Sequence, residues 1–457
     1  MKPLHTLRRV LGAICTALRL ALPKLGVGWM FALLTSNFNQ IAIVDLGVTA
    51  AIVTAMIGLH QFLSPFQVIF GRLADRHPLW GLRRTPPVLI GSLVASLIFP
   101  ALPAIAVGMG RGSALATVAG FALLVVFGLG IAASGDAHHA LIAEVTPERR
   151  RGGVISVVWT FTIVSGIASG IALRVLMPRY DPALMQTLYS VTPLIVMSTA
   201  LLGLLGIERR LSAAELATAI ARSRASVPPG NPIRAATTVL RRNTQARLFF
   251  GFVFLGILGI FIQDQILEVF GREELGMTLQ QAQSMQPVWG GAVLLGMIGM
   301  GLLCTILPLG KKAIALTGAA GTALGLGLLT LTALLRQPAL LTPTLVLMGL
   351  STGLFNVGAL SLMMDMTVEG ATGLYMGLWG MAQAFGTGLA ALVSGGLHTA
   401  LIETQLVSLS AGYTIIFGLE AVTMVLSIAF LSVVSVAEFR GMTRAEMTRA
   451  LELGAAS

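Results

Sequence analysis

The chain has 457 residues, of which 55% are hydrophobic and only 11% are charged, and it carries a formal net charge of +11. Its mean hydropathy of +0.86 lies far outside the range of soluble domains, which excludes a soluble enzyme or binding module. The two cysteines, Cys15 and Cys304, are too few and too far apart for a disulfide framework or a metal site. The composition therefore predicts a polytopic membrane protein.

Twelve apolar runs are long enough to cross a hydrocarbon core about 30 Å thick, which takes roughly 20 residues each. Runs this long and continuous favour helices over barrel strands, because backbone groups in lipid must be paired within their own segment or in a closed barrel. The prediction is an all-α membrane protein with spans at about 27–46, 48–70, 86–108, 114–138, 153–176, 186–207, 247–268, 284–307, 312–335, 342–364, 372–398 and 411–436.

Lysine and arginine are distributed unevenly between the segments that join the spans. If the N-terminus is cytoplasmic, 25 of the 30 basic residues fall on the cytoplasmic side. Because this bias sets the orientation of membrane proteins, both termini are predicted to be cytoplasmic. Topology and contact with anionic lipids then explain the positive charge, which gives no support to nucleic-acid binding.

Polar and basic segments divide the chain into five predicted parts. The first, 1–26, mixes basic and apolar residues and is interpreted as an interfacial amphipathic helix that ends at Pro23. The arginine-rich segment 208–246 contains three prolines and is interpreted as a central cytoplasmic linker. The other parts are two groups of six spans, at 27–207 and 247–438, and a cytoplasmic tail at 439–457.

Two short motifs occur once in each group of spans, at nearly the same offset. FNQIAIVDLG aligns with FIQDQILEVF, which pairs Gln40 with Gln263 and Asp45 with Glu268. ALIAEVTPERRRG aligns with SLMMDMTVEGATG in the same way. Repeats on either side of a basic linker predict two pseudo-symmetric six-helix halves that pack around a central site.

The stretch FIQDQILEVFG places Gln263, Asp264 and Glu268 at the far end of a long apolar run. Such side chains are energetically costly in lipid unless they are paired, hydrated or part of a functional site. Two interpretations are open. The carboxylates of Asp45 and Glu268 lie at the membrane interface in contact with water, or they line the outer mouth of a cavity between the halves.

The loop FGRLADRHPLWGLRRTP, after the second span, resembles the signature loop of the major facilitator superfamily. Its glycine permits close helix approach, its aspartate can meet a helix N-terminus, and its arginines can pair with a carboxylate at the inner end of the fourth span. The alternative is a loop that is basic only because it is cytoplasmic. The residues predicted to form an inner gate are Gly71, Asp75, Arg76, Arg83, Arg84 and Glu144.

Four stretches together are similar to the PucC/LhaA family of the same superfamily: SNFNQIAIVDLGV, the GRLAD…GLRRTP loop, FIQDQILEVFGREELGM and PVWGGAVLLG. The resemblance implies a twelve-helix major facilitator fold that assists in building light-harvesting antenna complexes. It also implies antenna polypeptides and pigment-synthesis enzymes as partners, and (bacterio)chlorophyll as bound cargo. One position departs from the family, because Gln40 stands where members usually carry arginine, and this leaves room for a different cargo.

Other polar residues fall near the middle of spans. His60 would ligate the magnesium of a chlorophyll through a neutral imidazole, or it is hydrogen-bonded within the bundle. Asn39 and Asn356 are predicted to line the cavity, the alternative being interhelical hydrogen bonds worth about 0.6 kcal/mol each. The residues predicted to line the cavity or bind a ligand are Asn39, Gln40, Asp45, His60, Gln263, Asp264, Glu268 and Asn356.

Three further titratable residues each have two interpretations. His138 and His139, beside Asp136, form a metal or proton site, or they lie at the interface. Glu420 is the single acid near the middle of the last span. It couples protons to transport, or a neighbouring helix satisfies it.

The sequence contains no pairing of nucleophile and base, no zinc-ligand spacing and no phosphate-binding loop, so no enzyme and no resident metal are predicted. Two alternatives to an antenna assembly factor remain open. One is a proton-coupled secondary transporter that exports a small apolar solute. The other is a scaffold whose outer helices bind antenna polypeptides.

Overall fold

The structure, a computed structural model, describes residues 12, 14–63, 66, 69–70, 73–74, 77–226, 239–307, 309–367 and 372–440. Eleven of the described helices are long and apolar enough to cross a membrane. Within the described ranges, β pairing is limited to one isolated bridge between Leu79 and Leu82. The prediction of an all-α, multi-pass membrane protein is confirmed.

The described helices follow the predicted spans closely. They are α1 (Ile14–Asp45), α2 (Ala50–Phe62), α3 (Thr85–Gly110), α4 (Ala114–Val145), α5 (Glu148–Leu176), α6 (Pro182–Leu204), α7 (Ala213–Ser226), α8 (Thr244–Glu273), α9 (Met285–Ile306), α10 (Lys311–Leu335), α11 (Pro338–Asp365), α12 (Thr372–His398), α13 (Leu409–Val433) and α14 (Val436–Arg440). The second predicted span, 48–70, is described only in part, because α2 ends at Phe62 and the description beyond it is interrupted.

Polar side chains mark where several of these helices begin. Ser113, Asp181, Asn243 and Ser408 each accept a hydrogen bond from a backbone N–H in the first turn of α4, α6, α8 and α13. Such caps satisfy N–H groups that have no partner within the helix. The apolar runs therefore become helices whose starts are fixed by single polar residues.

The described residues fall into two compact units. The first comprises those within Met1–Val48, Leu63–Ser226 and Met277–Pro287, and the second those within Thr49–Phe62, Val227–Gly276 and Val288–Ser457. Helix α2 belongs to the second unit although it precedes the linker in sequence. It packs along α12, where a Cβ on Gly58 would lie 2.5 Å from the Cβ of Ala391. Because glycine at position 58 has no side chain, these two helices approach closely.

Residues 14–26 belong to α1, which corrects the prediction of a separate interfacial helix over 1–26. Leu20 and Ala21 are fully buried in an apolar cluster with Val88 and Leu141. Pro23 does not end the helix, because Leu22 forms a turn whose N–H donates to the carbonyl of Arg19 at 3.1 Å and the helix resumes at Pro23. Residues 1–11 and 13 lie outside the described residues.

Helix α1 contains two π-helical segments, Ala32–Phe38 and Ile41–Asp45. Turns of this kind are rare and occur frequently at functional sites, because they widen the helix and change its hydrogen bonding. The carbonyl of Leu33 accepts a hydrogen bond from the hydroxyl of Tyr189 on α6, at 3.0 Å. Most polar residues of the first span therefore lie on π-helical segments or next to them.

In the second unit, α10 packs directly against α11. A Cβ on Gly318 would lie 2.2 Å from the backbone nitrogen of Phe355, and one on Gly358 would lie 2.4 Å from that of Ala315. Glycines on both helices therefore bring the two backbones together, which is the usual basis of helix packing in lipid.

Gly318 and Gly327 lie on the same helix, but a Cβ at Gly327 would meet no atom within 4 Å. We expect Gly318→Ala to lower the free energy of unfolding by about 1–3 kcal/mol, because overpacking pushes two backbones apart. Gly327→Ala should leave that free energy unchanged or raise it by up to about 1 kcal/mol, because alanine favours a helix. Unfolding of the purified variants in detergent measures both. Equal effects would contradict the close packing of α10 on α11.

Candidate functional site

Each unit contains one cluster of charged residues, and we name the two clusters by the orientation that the sequence predicts. The inner cluster, in the first unit, consists of Arg83, Arg84, Glu144 and Glu208. The guanidinium of Arg84 contacts Oε1 of Glu144 through Nη2 at 2.7 Å and through Nε at 2.8 Å, and Nη2 of Arg83 lies 3.8 Å from the same oxygen. The structure thus brings together three residues of the predicted gate.

Glu208 completes the inner cluster, and the sequence analysis did not single it out. Its Oε1 accepts hydrogen bonds from the backbone N–H groups of Arg83 and Arg84, at 2.7 and 2.9 Å. Its Oε2 accepts one from the N–H of Thr85, at 2.6 Å. A carboxylate placed here satisfies the first donors of α3 and complements the positive end of its dipole.

The remaining gate residues Gly71, Asp75 and Arg76 lie outside the described residues. The role of the inner cluster as a gate stays a prediction. The second half of the loop between α2 and α3 is anchored by two contacts. Arg84 binds Glu144 on α4, and Glu208, just after α6, accepts hydrogen bonds at the start of α3.

The capping role of Glu208 predicts a stability effect. We expect Glu208→Ala to lower the free energy of unfolding by about 1–2 kcal/mol, because three N–H groups lose a charged acceptor. The control is Glu438→Ala, which removes an exposed carboxylate bonded to the side chain of Gln245, and which should change it by no more than about 0.5 kcal/mol. Denaturation of both variants in detergent gives the comparison. Similar losses would rule out a special role for Glu208.

The predicted cavity residues of the first unit differ in exposure. Asn39 and Gln40 are buried, while Asp45 is exposed at the end of α1. Burial of the Tyr180 phenol, together with the negative charge of Asp45, raises the pKa of Tyr180 above its ordinary value. Asp45 is therefore the one member of this group that is open to water.

Next to these residues lies a buried network that joins α1 to α6. The hydroxyl of Tyr189 lies 3.1 Å from Oδ1 of Asn37, and the indole N–H of Trp29 donates to Thr192 at 3.1 Å. Hydrogen bonds of this kind fix the register of two helices in an apolar environment.

The predicted cavity residues of the second unit are mostly packed inside it. Gln263 and Glu268 are buried, while Asp264 and Asn356 are half-buried. The ring of His60 is largely buried, with Nδ1 2.6 Å from the carbonyl of Ile57. Glu268 is only 3% exposed, so it does not share the wet environment of Asp45, its counterpart in the repeat.

The outer cluster, in the second unit, consists of Glu273, His398, Glu403 and Tyr413. Nε2 of His398 lies 2.9 Å from Oε2 of Glu273, and Nδ1 lies 3.4 Å from Oε1 of Glu403. Tyr413 donates to Oε2 of Glu273 at 2.6 Å. The same oxygen of Glu403 accepts a hydrogen bond from the backbone N–H of Ala50, at 2.7 Å. The cluster therefore ties α8, α12 and α13 to the start of α2.

The outer cluster could not be recognised in the sequence, for a physical reason. Its members stand at helix ends far apart in the chain, so no spacing or motif connects them. Glu403 belongs to a π-helical turn, Thr399–Glu403, that follows α12 and directs its carboxylate to α2. In the described part of the chain, no three His, Cys, Asp or Glu residues are arranged to hold a metal ion.

We expect His398→Ala to lower the free energy of unfolding by about 1–3 kcal/mol, because two half-buried carboxylates lose their shared partner. His77 provides the control, since it is exposed and lies outside the outer cluster. His77→Ala should change stability by no more than about 0.5 kcal/mol. Melting curves of the two purified variants make the comparison. An unchanged His398→Ala protein would show that the cluster does not hold these helices together.

Comparison with known families identifies the chain's relatives. A family model described as PUCC protein matches residues 37–439. The chain belongs to the PucC family. It is 29% identical over 442 residues to the bacteriochlorophyll synthase 44.5 kDa chain of Rhodobacter capsulatus, covering 93% of this chain and 96% of that protein. It is 28% identical over 420 residues to protein PucC of Cereibacter sphaeroides, covering 88% of each. The predicted resemblance is thereby confirmed.

Solved structures agree on the fold. The chain matches the nucleoside transporter NupG with a TM-score of 0.67 at 14% identity, covering 91% of this chain and 98% of that one. It matches a D-xylose–proton symporter with a TM-score of 0.64 at 16% identity, covering 90% and 97%. Identities this low show the fold alone. The prediction of a major facilitator fold for this PucC-family chain is confirmed.

Proposed function

We propose that the chain is a photosynthetic antenna assembly factor, which holds antenna polypeptides or hands them (bacterio)chlorophyll in a bacterial inner membrane. The observation that carries this proposal is the family match over residues 37–439. A relative that shares 29% identity over nearly its full length is named for bacteriochlorophyll synthesis, which supports a photosynthesis-associated role. The proposal assigns the chain no catalytic step of its own.

The chemistry of the chain suits an apolar cargo. The described spans expose mainly aliphatic and aromatic side chains, and pigment tails or antenna helices would be bound by surfaces of that kind. His60 contributes a candidate ligand for the pigment magnesium. If its Nδ1 donates to Ile57, Nε2 carries the lone pair that magnesium ligation requires. Antenna polypeptides, pigment-synthesis enzymes and anionic lipids are the proposed partners, and both termini are proposed to be cytoplasmic.

A second candidate function is proton-coupled export of a small apolar solute. The pairing of Arg84 with Glu144 at the inner end of the first unit favours it, because a transporter needs contacts that close one side. The two candidate functions predict different effects of mutation. Loss of an assembly factor lowers the amount of antenna in the membrane, whereas loss of a transporter leaves that amount unchanged.

The proposed function predicts a selective loss of antenna. In a photosynthetic host whose own copy is deleted, Asp45→Asn should reduce antenna absorbance severalfold while the abundance of the chain stays near wild type, because Asp45 is exposed and does not support the packed interior. Glu268→Gln should also reduce antenna absorbance more than it reduces the abundance of the chain. Its loss of abundance should be larger than that of Asp45→Asn, because Glu268 is buried. Absorbance spectra of membranes and immunoblots of the chain measure the two quantities.

The matched control for this experiment is Glu438→Gln, an exposed acid outside the predicted cavity. It should leave both antenna absorbance and protein abundance unchanged. Antenna that falls only in proportion to the protein would mean that Asp45 and Glu268 support folding alone. Normal antenna in the deletion strain would overturn the assembly role and favour the exporter.

A further inference from the structure

Glu420 occupies the centre of α13, where no solvent reaches it. The residue is 0% exposed, and it stands near the middle of a helix that runs from Leu409 to Val433. At a rise of about 1.5 Å per residue, each end of the helix is roughly 15–20 Å away. The carboxyl group is thus held at mid-membrane depth, inside the protein.

One carboxyl oxygen has a partner and the other has none. Oε1 accepts a hydrogen bond from the backbone N–H of Gln263 on α8, at 2.8 Å. Among the described residues, Oε2 makes no hydrogen bond, and neither does Oε1 of Gln263. The contact between the two helices therefore holds two buried oxygens that lack a donor. A buried acceptor left without a donor destabilises the folded state.

The carboxyl reaches the backbone of α8 because the two helices lie close together. A Cβ on Gly259, one turn before Gln263, would lie 3.1 Å from the backbone nitrogen of Met424 and 3.3 Å from the carbonyl of Glu420. Further along, the hydroxyl of Ser427 donates to the carbonyl of Phe252 at 3.0 Å. Glu420 is thus part of a continuous polar contact between α8 and α13.

No cation offsets a charge at this position in the described part of the chain. The charged neighbour on α8 is Asp264. Its negative charge would repel a negative charge on Glu420. Helix α10 packs along α13 and has no titratable residue between Lys312 and Leu335. Lys312 itself binds the carbonyls of Ser432 and Val434, three turns away from Glu420.

The remaining titratable groups near α13 stand at its outer end. They include Tyr413 on α13 itself, His398 on α12, Glu273 on α8 and Glu403 just after α12, which together form the outer cluster. An ionised Glu420 would therefore be a buried, unpaired charge beside another acid, which is the arrangement proteins avoid.

We propose that Glu420 is a proton-binding site, and that its carboxyl group is protonated in the conformation described. The group takes up one proton from the aqueous phase and releases it there when it ionises. A hydrogen on Oε2 removes the charge from the buried carboxyl group and turns Oε2 from an acceptor without a donor into a donor. Release of the proton places an unpaired charge between α8 and α13, which favours separation of these helices or entry of water. Protonation of Glu420 is thereby linked to the contact between α8 and α13.

Infrared spectroscopy of the purified full-length chain tests the proposal at neutral pH. Wild type should show a carbonyl band of a protonated carboxylic acid that shifts in heavy water. Glu420→Gln should lose that band, because the amide has no acid carbonyl. Glu438→Gln should keep it, because Glu438 is exposed. Identical protonated-acid bands in wild type and Glu420→Gln would overturn the proposal.

Stability supplies a second test that uses the same proteins. Glutamine has the shape and hydrogen-bonding groups of a protonated glutamate, so Glu420→Gln should melt at the wild-type temperature or above it. Glu420→Ala should melt lower, because Gln263 loses its acceptor. A Glu420→Gln chain that fails to accumulate, or that melts as low as Glu420→Ala, would contradict a protonated group. Neither test depends on pigment or antenna, so the proton site and the assembly role succeed or fail separately.

Discussion

Polar groups in this chain have to find their partners inside the protein, because the hydrocarbon around the helices offers none. Each cluster in the structure follows from that constraint. The guanidinium of Arg84 is matched by Glu144, and the start of α3 by the carboxylate of Glu208. In the second unit, His398 contacts two carboxylates, one of which also caps α2. The charged residues therefore join helix ends, and the apolar spans between them are held in register.

Close approach of backbones makes these polar contacts possible. Glycine at position 318 brings α10 onto α11, and glycine at 259 brings α8 near α13. At the second of these contacts the distance is short enough for a carboxyl group of one helix to accept from the backbone of another. Packing and hydrogen bonding are thus coupled, because a side chain added at either glycine would separate the groups that have to meet. The same coupling means that a change of charge at Glu420 acts on the packing of two whole helices.

Much of the fold was predictable from the sequence, because length and hydropathy determine spans and because several stretches resemble a family whose model matches residues 37–439. The pairing of Arg84 with Glu144 was also predicted, from the loop motif. Glu208 and the outer cluster were not, because their residues meet only when the ends of distant helices come together. The internal repeat drew attention to Asp45 and Glu268, whose role stays a prediction, but it could not show that one is exposed and the other buried, since exposure depends on neighbouring helices.

The proposed function of this facilitator fold is antenna assembly through the handling of pigment or antenna subunits. The most direct measurement is an absorption spectrum of the chain purified in mild detergent from a photosynthetic membrane, with pigment extracted and quantified per chain and with copurifying polypeptides identified. We expect (bacterio)chlorophyll in stoichiometric amount, or antenna polypeptides bound to a colourless chain. A chain that carries neither would contradict the proposed function and would leave transport of a small solute as the function of the fold.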